Sequence, residues 1–170
     1  MAKWGKVDYQ QLLDLQERLQ RFESSVEIDE FCRGCAKELA QRLYRKVVKR
    51  TPTGIYEPIT YTKKDGTQVT YNESKQGGAL KKGWSVKSVT KQGNDYICEI
   101  INPVEYASYV EYGHRQTPGR FVPQIGKRLK NGWVEGKFML TISEKEIQNI
   151  APKLIEKKLE KRLREIFDGN

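Results

Sequence analysis

Phe31, Cys35, Leu39, Leu43 and Val47 recur every four residues, and the run ends at Thr51-Pro52. That spacing keeps all five on one side of a helix while Lys37, Arg45 and Lys49 fall elsewhere around it. Proline cannot extend a helix and disfavours helical geometry at the residue before it. A helix over about 28–50 with one apolar stripe is therefore the element on which the rest of the chain must pack.

Two further helical patterns flank the middle of the chain. Asp8 and Gln11 have capping-box spacing, and Leu12, Leu15, Leu19 and Phe22 follow at intervals of three and four, which predicts a helix over 8–23. Its stripe is narrow, as suits a helix lying on a surface or against another subunit. Ser143 and Glu146 form a second capping box. Ile147, Ile150, Leu154, Ile155, Leu159, Leu163 and Ile166 then carry a helix to about 167, with Pro152 expected to kink or split it.

Between these helices the period drops to two. Residues 59–71 read as a β-hairpin turning at Asp65-Gly66, and a two-residue turn pairs Thr62 with Val69 and Tyr61 with Thr70. Neither face is then strongly apolar. Residues 55–77 are accordingly expected to form an extended arm that gains from being covered, with Tyr61, Lys63, Lys64 and Val69 as its contact residues. Trp84–Val89 and Tyr96–Ile101 alternate around Gly93-Asn94 and are expected at the centre of a small antiparallel sheet. Asn102, Pro103 and Glu105 supply helix-start chemistry for a short helix that stops at Gly113, with Tyr106, Tyr109 and Val110 on its buried side. Residues 114–137 are rich in Gly, Pro, Arg and Lys without periodicity and read as a long loop. The expected architecture is a single α+β domain over 1–170: a small antiparallel sheet packed by N-terminal, short central and C-terminal helices, with a hairpin arm.

Composition narrows what such a domain can do. Hydrophobic residues are 37% and charged residues 31% of the chain, so much of the surface is left for solvent or partners, while 10% aromatics argues for a folded core. Lys and Arg outnumber Asp and Glu by 31 to 22, a formal +9. Charge of that sign permits loose, sequence-independent contact with DNA, but no helix-turn-helix, zinc finger or RNP-like strand is present to read bases. The start of the chain, MAKWGKVDYQ, has no apolar segment of signal-peptide length, and no run is apolar enough to span a membrane; the chain is expected in the cytoplasm at synthesis and during any assembly.

Catalytic and metal chemistry find little support. Cys32-Arg33-Gly34-Cys35 is a C-x-x-C, but it lies in an amphipathic helix with no strand before it, unlike a thioredoxin-type site. Completing a zinc site would require Cys98 and His114 to converge on it. Otherwise the three cysteines are small packing residues. His114 is the only histidine; as a general base it would need Ser108 or Glu111 beside it. No nucleophile elbow or phosphate-cradling glycine loop occurs, so no catalytic residue, cofactor or metal is assigned.

The order of features is more specific than any one of them. Thr51-Pro52, Gly78-Ala79-Leu80-Lys81-Lys82-Gly83-Trp84, Tyr106-Ala107-Ser108-Tyr109-Val110-Glu111-Tyr112-Gly113-His114 and Phe138-Met139-Leu140 together resemble the HK97 gene-product-10-like family of tailed-phage and prophage neck or tail-completion proteins. The resemblance covers roughly 28–167. It departs from the family pattern where residues 55–77 separate Thr53-Gly54 from Ala79-Leu80. It implies a non-catalytic subunit of the virion or of a tail-like particle, forming a homo-oligomeric ring, a hexamer, at the head–tail junction beside neck, tail-tube or sheath proteins. Under that reading Glu111, Tyr112, His114 and Arg115 at the end of the short helix, and Arg120 in the following loop, face a neighbour. The competing reading of Tyr112 is that it completes the core, and the competing reading of the chain is a basic DNA-binding accessory protein.

Overall fold

The stripe on residues 28–50 forms the longest central element of a computed structural model that describes residues 10–23, 25–55, 57–71 and 77–168. Helix α2 (Ser25–Arg50) buries Cys35, Ala40 and Val47, and Val47 meets Leu80, Trp84 and Met139 in the main core cluster. Helix α1 (Gln10–Glu23) packs on α2 through an edge-to-face pair of Phe22 and Phe31, their ring centroids 6.5 Å apart. The Asp8 capping box lies outside the described residues.

α2 ends as its Thr-Pro predicts, and the threonine has a second duty. Thr51, 3% exposed, donates from Oγ1 to the Val47 carbonyl at 2.7 Å and accepts from the Trp84 indole at 2.8 Å. One hydroxyl thus closes the helix and fixes the largest core side chain. Trp84 follows the short helix α3 (Ala79–Lys82), whose Leu80 completes the cluster.

The hairpin forms in a different register from the expected one. Strands β1 (Ile59–Thr62) and β2 (Gln68–Tyr71) pair Tyr61 with Val69 and Ile59 with Tyr71. The turn takes three residues, Lys64-Asp65-Gly66: Gly66 donates to the Lys63 carbonyl at 3.0 Å in the left-handed region (φ 82°), while Lys63 donates to Thr67 O at 2.8 Å. A one-residue slip exchanges faces. Ile59, Tyr61, Val69 and Tyr71 therefore share one half-buried side, and the threonines face solvent.

The expected central strands are short and interrupted. β3 (Ser85–Val86) pairs with β6 (Ile100–Ile101), and β4 (Thr90–Gln92) with β5 (Asp95–Ile97) around Gly93-Asn94. Cys98 donates its thiol to the Lys87 carbonyl at 3.1 Å where the ladder breaks. The far end of this ribbon is tied to α2 by Asp29, which accepts from Lys91 Nζ (2.9 Å) and Tyr96 Oη (2.8 Å) and pairs with Arg33.

Residues 114–137 are not an irregular loop. After α4 (Ala107–Tyr112), strand β7 (Gly113–Arg115) pairs with β10 (Trp133–Glu135), and β8 (Phe121–Val122) pairs further out with β9 (Lys127–Arg128). This second arm packs on the first. Tyr61 stacks parallel to Tyr71 at 5.8 Å and meets Phe121 edge-on at 5.4 Å, so two β-arms that are weak alone shelter each other.

Helix α5 (Met139–Asp168) starts four residues before the expected cap. Ser143 is fully buried inside it, donating to the Met139 carbonyl and accepting from Arg50; Glu146 binds Lys46 (2.6 Å) and Arg50 (2.7 Å), which hold its carboxyl below the ordinary range. These residues clasp α5 to α2 rather than cap it. α5 runs through Pro152 unbroken; the proline is exposed, and so is Gln148, the residue whose carbonyl a proline at 152 leaves without its helical donor. The structure is thus α+β, with small antiparallel ribbons rather than one sheet.

Thr51→Val should destabilise the fold by roughly 1–3 kcal/mol in urea titrations, since it leaves the Trp84 indole buried without a partner; on a Trp84→Phe background the same change should cost much less. Equal costs on both backgrounds would show that the bond does not matter. A second expectation concerns acid. The hydrogen bond from Lys91, with those from Arg33 and Tyr96, lowers the Asp29 pKa below its ordinary 3.8. The stabilisation is fully present above that value and is lost as pH falls below it through the lowered folded value. The urea midpoint of Asp29→Asn should lie below wild type at pH 7, and the gap should narrow at pH 3; a constant gap counts against the tie.

Candidate interaction surface

The most specific stretch of the sequence, Tyr106–His114, builds a joint with an exposed aromatic side. The joint begins with Glu111, which is 5% exposed. Its carboxylate accepts from Leu140 N (3.0 Å) and Thr141 N (2.9 Å), two backbone donors in the first turn of α5, and from Thr141 Oγ1 (2.8 Å). A side chain from α4 thereby does for α5 what a local N-cap residue would do, with its negative charge at the positive end of the helix. The backbone repeats the connection in reverse, as Lys137 and Phe138 donate to the carbonyls of Val110 and Glu111 at 2.8 and 3.0 Å.

Two glycines let these segments approach. A Cβ on Gly136 would lie 2.3 Å from the Glu111 carbonyl oxygen, and one on Gly113 would lie 2.4 Å from that of Val134. Gly113 also has φ 85°, so the Tyr-Gly ending of α4 is required twice over. Phe138 enters α5 with φ 46°, a strained value for a side-chain-bearing residue, held there by its bond to Glu111.

Glu111 must therefore be withdrawn from the expected contact residues, since its carboxylate is enclosed and engaged within the chain. The tyrosines move the other way. Tyr106 and Tyr109 are expected on the buried side of the helix and Tyr112 at its docking end, yet all three are open, at 43%, 57% and 60% exposed, while Ala107 and Val110 pack on the core cluster. Alternation at i, i+3 and i+6 places the three rings within about 120° of arc on α4. Trp133, half exposed, stands at the end of the same helix beside Gly113 and opposite Arg115 in the β7–β10 ladder. The reading in which Tyr112 completes the core is thus overturned.

The other candidate residues separate into two groups. His114 is half-buried with its ring 5.8 Å from that of Tyr109; its Nδ1 has no hydrogen-bond partner, and Glu111 is committed elsewhere, so the pairing a general base needs is not assembled. Arg115 and Arg120 are exposed, as are Lys63 and Lys64 at the tip of the first arm. Tyr61 meets Phe121 of the second arm and Val69 shares its side of the hairpin, the consequence of the altered register.

The chemistry considered for the cysteines is not assembled either. Cys32, Cys35 and Cys98 are free thiols lining one apolar hollow of about 470 Å³ with Phe31, Leu39 and Leu43. Burial pushes the Cys35 and Cys98 thiols up, away from the reactive thiolate. No cluster of three or more His, Cys, Asp or Glu side chains suited to a metal exists among the described residues. No described helix is long and apolar enough to cross a membrane.

The interruption by residues 55–77 closes on itself. Gly77 touches Gly54 so closely that a Cβ would lie 1.9 Å from the Gly54 oxygen, which brings Thr53-Gly54 back beside Gly78-Ala79-Leu80. Together with Pro52, Val110 and the Tyr106 ring they line a hollow under one end of the aromatic side. Segments far apart in sequence meet at the base of the first arm.

Glu111→Ala should destabilise the chain by about 2 kcal/mol or more in urea titrations, through loss of the cap and of partners for buried donors, while Glu111→Gln, which keeps an acceptor, should lose roughly half as much. Wild-type stability in both variants would refute the capping role.

The geometry of this joint explains residue by residue why the Tyr-Val-Glu-Tyr-Gly pattern takes the form it does: an exposed ring, a core contact, a remote cap, a second exposed ring and a close crossing. Comparison with known families matches residues 14–113, from within α1 to the end of α4, to bacteriophage HK97-gp10, described as a tail component. No curated protein and no solved structure matches the chain. The chain belongs to the HK97-gp10-like family of phage tail components.

Proposed function

We propose that this tail component is a ring-forming subunit at the junction of head and tail, docking on copies of itself and on the adjoining neck, tail-tube or sheath proteins. The observation that carries the proposal is the aromatic side of α4, where Tyr106, Tyr109 and Tyr112 stand exposed with Trp133 at their end. Aromatic side chains gain most from burial and are favoured at the centres of protein interfaces, because they combine large contact area with a polar edge and few rotatable bonds. Three of them held outward along one short helix, with Trp133 of β10 at its end, would be a solubility liability for a free monomer.

The joint beneath makes the surface suited to docking. Glu111, Gly113 and Gly136 hold α4 against the start of α5, so the rings are presented on a fixed backbone and little order has to be gained on binding. Arg115 lies at the rim beside Trp133 without a carboxylate partner among the described residues, leaving its guanidinium free for a neighbour's acid or carbonyl groups. Arg120, His114, Lys63 and Lys64 extend the contact along the two arms. The role needs no turnover: it rests on shape and polarity.

Tyr112→Ala combined with Arg115→Ala should leave thermal unfolding within a few degrees of wild type, because neither side chain packs in the core, and should weaken assembly at least about tenfold. Multi-angle light scattering and negative-stain imaging of the purified protein, with its recovery in particles, read the outcome. A double variant that unfolds, or one that assembles like wild type, would refute the docking role.

A further inference from the structure

A second surface, remote in sequence from α4, carries most of the chain's excess charge. Two adjoining hollows on the outer side of α2 and α5 share Glu38 and Arg42 in their linings. From α2 they take Lys37, Arg42 and Arg45. From α5 they take Lys157, Lys158, Lys161 and Arg164. Seven cations against the carboxylates of Glu38 and Glu160 leave +5, more than half of the formal +9 of the whole chain.

The internal pairing shows which charges remain free. Glu38 accepts from Arg42 at 2.7 Å and Lys158 at 2.6 Å, which ties the two helices together, and Glu160 takes Arg164 at 2.6 Å. Lys37, Arg45 and Lys157 are exposed and have no ion pair among the described residues; Lys161 reaches only Glu165, at 3.9 Å. Four cations therefore point outward from a platform that the acids have already stapled. At 1.5 Å per residue the α2 set spans about 12 Å and the α5 set about 10 Å, on axes about 8–10 Å apart.

We infer that this α2–α5 face binds the phosphate backbone of duplex DNA without reading its sequence. The lining decides among polyanions. Leu154 is its only apolar residue and it has no aromatic ring, so it offers nothing for unpaired bases to stack on and no apolar side to enter a lipid surface. Protein interfaces deplete lysine and rely on an apolar centre, whereas surfaces that contact duplex are polar and strongly positive. A duplex carries about one negative charge per 1.7 Å, so a platform of this size meets several phosphates at once. The inference does not depend on the ring: the charged face and the aromatic side of α4 share no residue.

The test uses the full-length protein and a random-sequence duplex of 30 base pairs, titrated by fluorescence anisotropy between 50 and 200 mM salt. Four phosphate contacts should give a slope of log K against log salt of about −3 to −4 and a fall in affinity of roughly 100-fold over that range. Lys37→Gln, Arg45→Gln, Lys157→Gln and Lys161→Gln together should remove about three units of the slope. A matched set at the arm tips, Lys63→Gln, Lys64→Gln, Lys127→Gln and Lys130→Gln, should remove less than one. In the wild-type chain, bound duplex should shield Lys37, Lys157 and Lys161 from acetylation, a readout that does not depend on any variant folding. The proposal fails if the first set binds like wild type, if the second set loses as much, if those lysines are not shielded, or if polyglutamate or anionic vesicles compete better than duplex at equal charge.

Discussion

A carboxylate withdrawn from water at Glu111 is the contact on which the arrangement of this chain depends. Removing such a group from solvent is costly unless donors replace the water, and here the replacement comes from the opening turn of α5. The exchange works in both directions, since those backbone groups would otherwise have lacked partners at a helix end that Met139 buries in the core. α4 and α5 are thereby fixed as a pair, with Gly113 and Gly136 supplying the clearance. The outward direction of the tyrosines follows, because the opposite side of α4 is occupied by Ala107, Val110 and Glu111 itself.

The same economy recurs in the core, where single polar groups serve two elements. Thr51 ends α2 and positions Trp84; Ser143 bonds within α5 and receives Arg50 from α2; Asn102 donates to the Leu80 carbonyl and accepts from Val104 N. The fully enclosed apolar cluster is small for a chain of 170 residues. These shared polar contacts specify how helices and ribbons meet, and they leave wide areas of the exterior for aromatic and basic surfaces.

The helices were legible in the sequence because their signal is periodic and long. The stripe at Phe31, Cys35, Leu39, Leu43 and Val47 and its stop at Thr51-Pro52 are local properties. The turn at Gly93-Asn94 and the stop at Gly113 were equally readable, as each needs only one residue's conformational freedom. The misreadings have a common origin in partners distant along the chain. Ser143 and Glu146 look like a cap when Arg50, Lys46 and Glu111 are out of view. The Asp-Gly signal fits a two-residue turn as well as a three-residue one, and only the sheltering arm around Phe121 rewards the register that collects Ile59, Tyr61, Val69 and Tyr71. For the same reason residues 114–137, whose paired strands are only two or three residues long, read as a loop. Of the surface, Tyr112 and Arg115 could be picked out by residue type, whereas the α2–α5 platform could not, since Glu38 and Lys158 become neighbours only after folding.

The thirty-residue length of α5 has a mechanical meaning. At 1.5 Å per residue it is a strut of about 45 Å, seated at one end on Glu111 and bearing the basic platform towards the other. The aromatic side on α4 meets that strut at its first turn, where Glu111 binds Leu140 N and Thr141 N. An event at one extremity of the subunit thus has a stiff path to the opposite extremity, as a tappet passes movement along an engine.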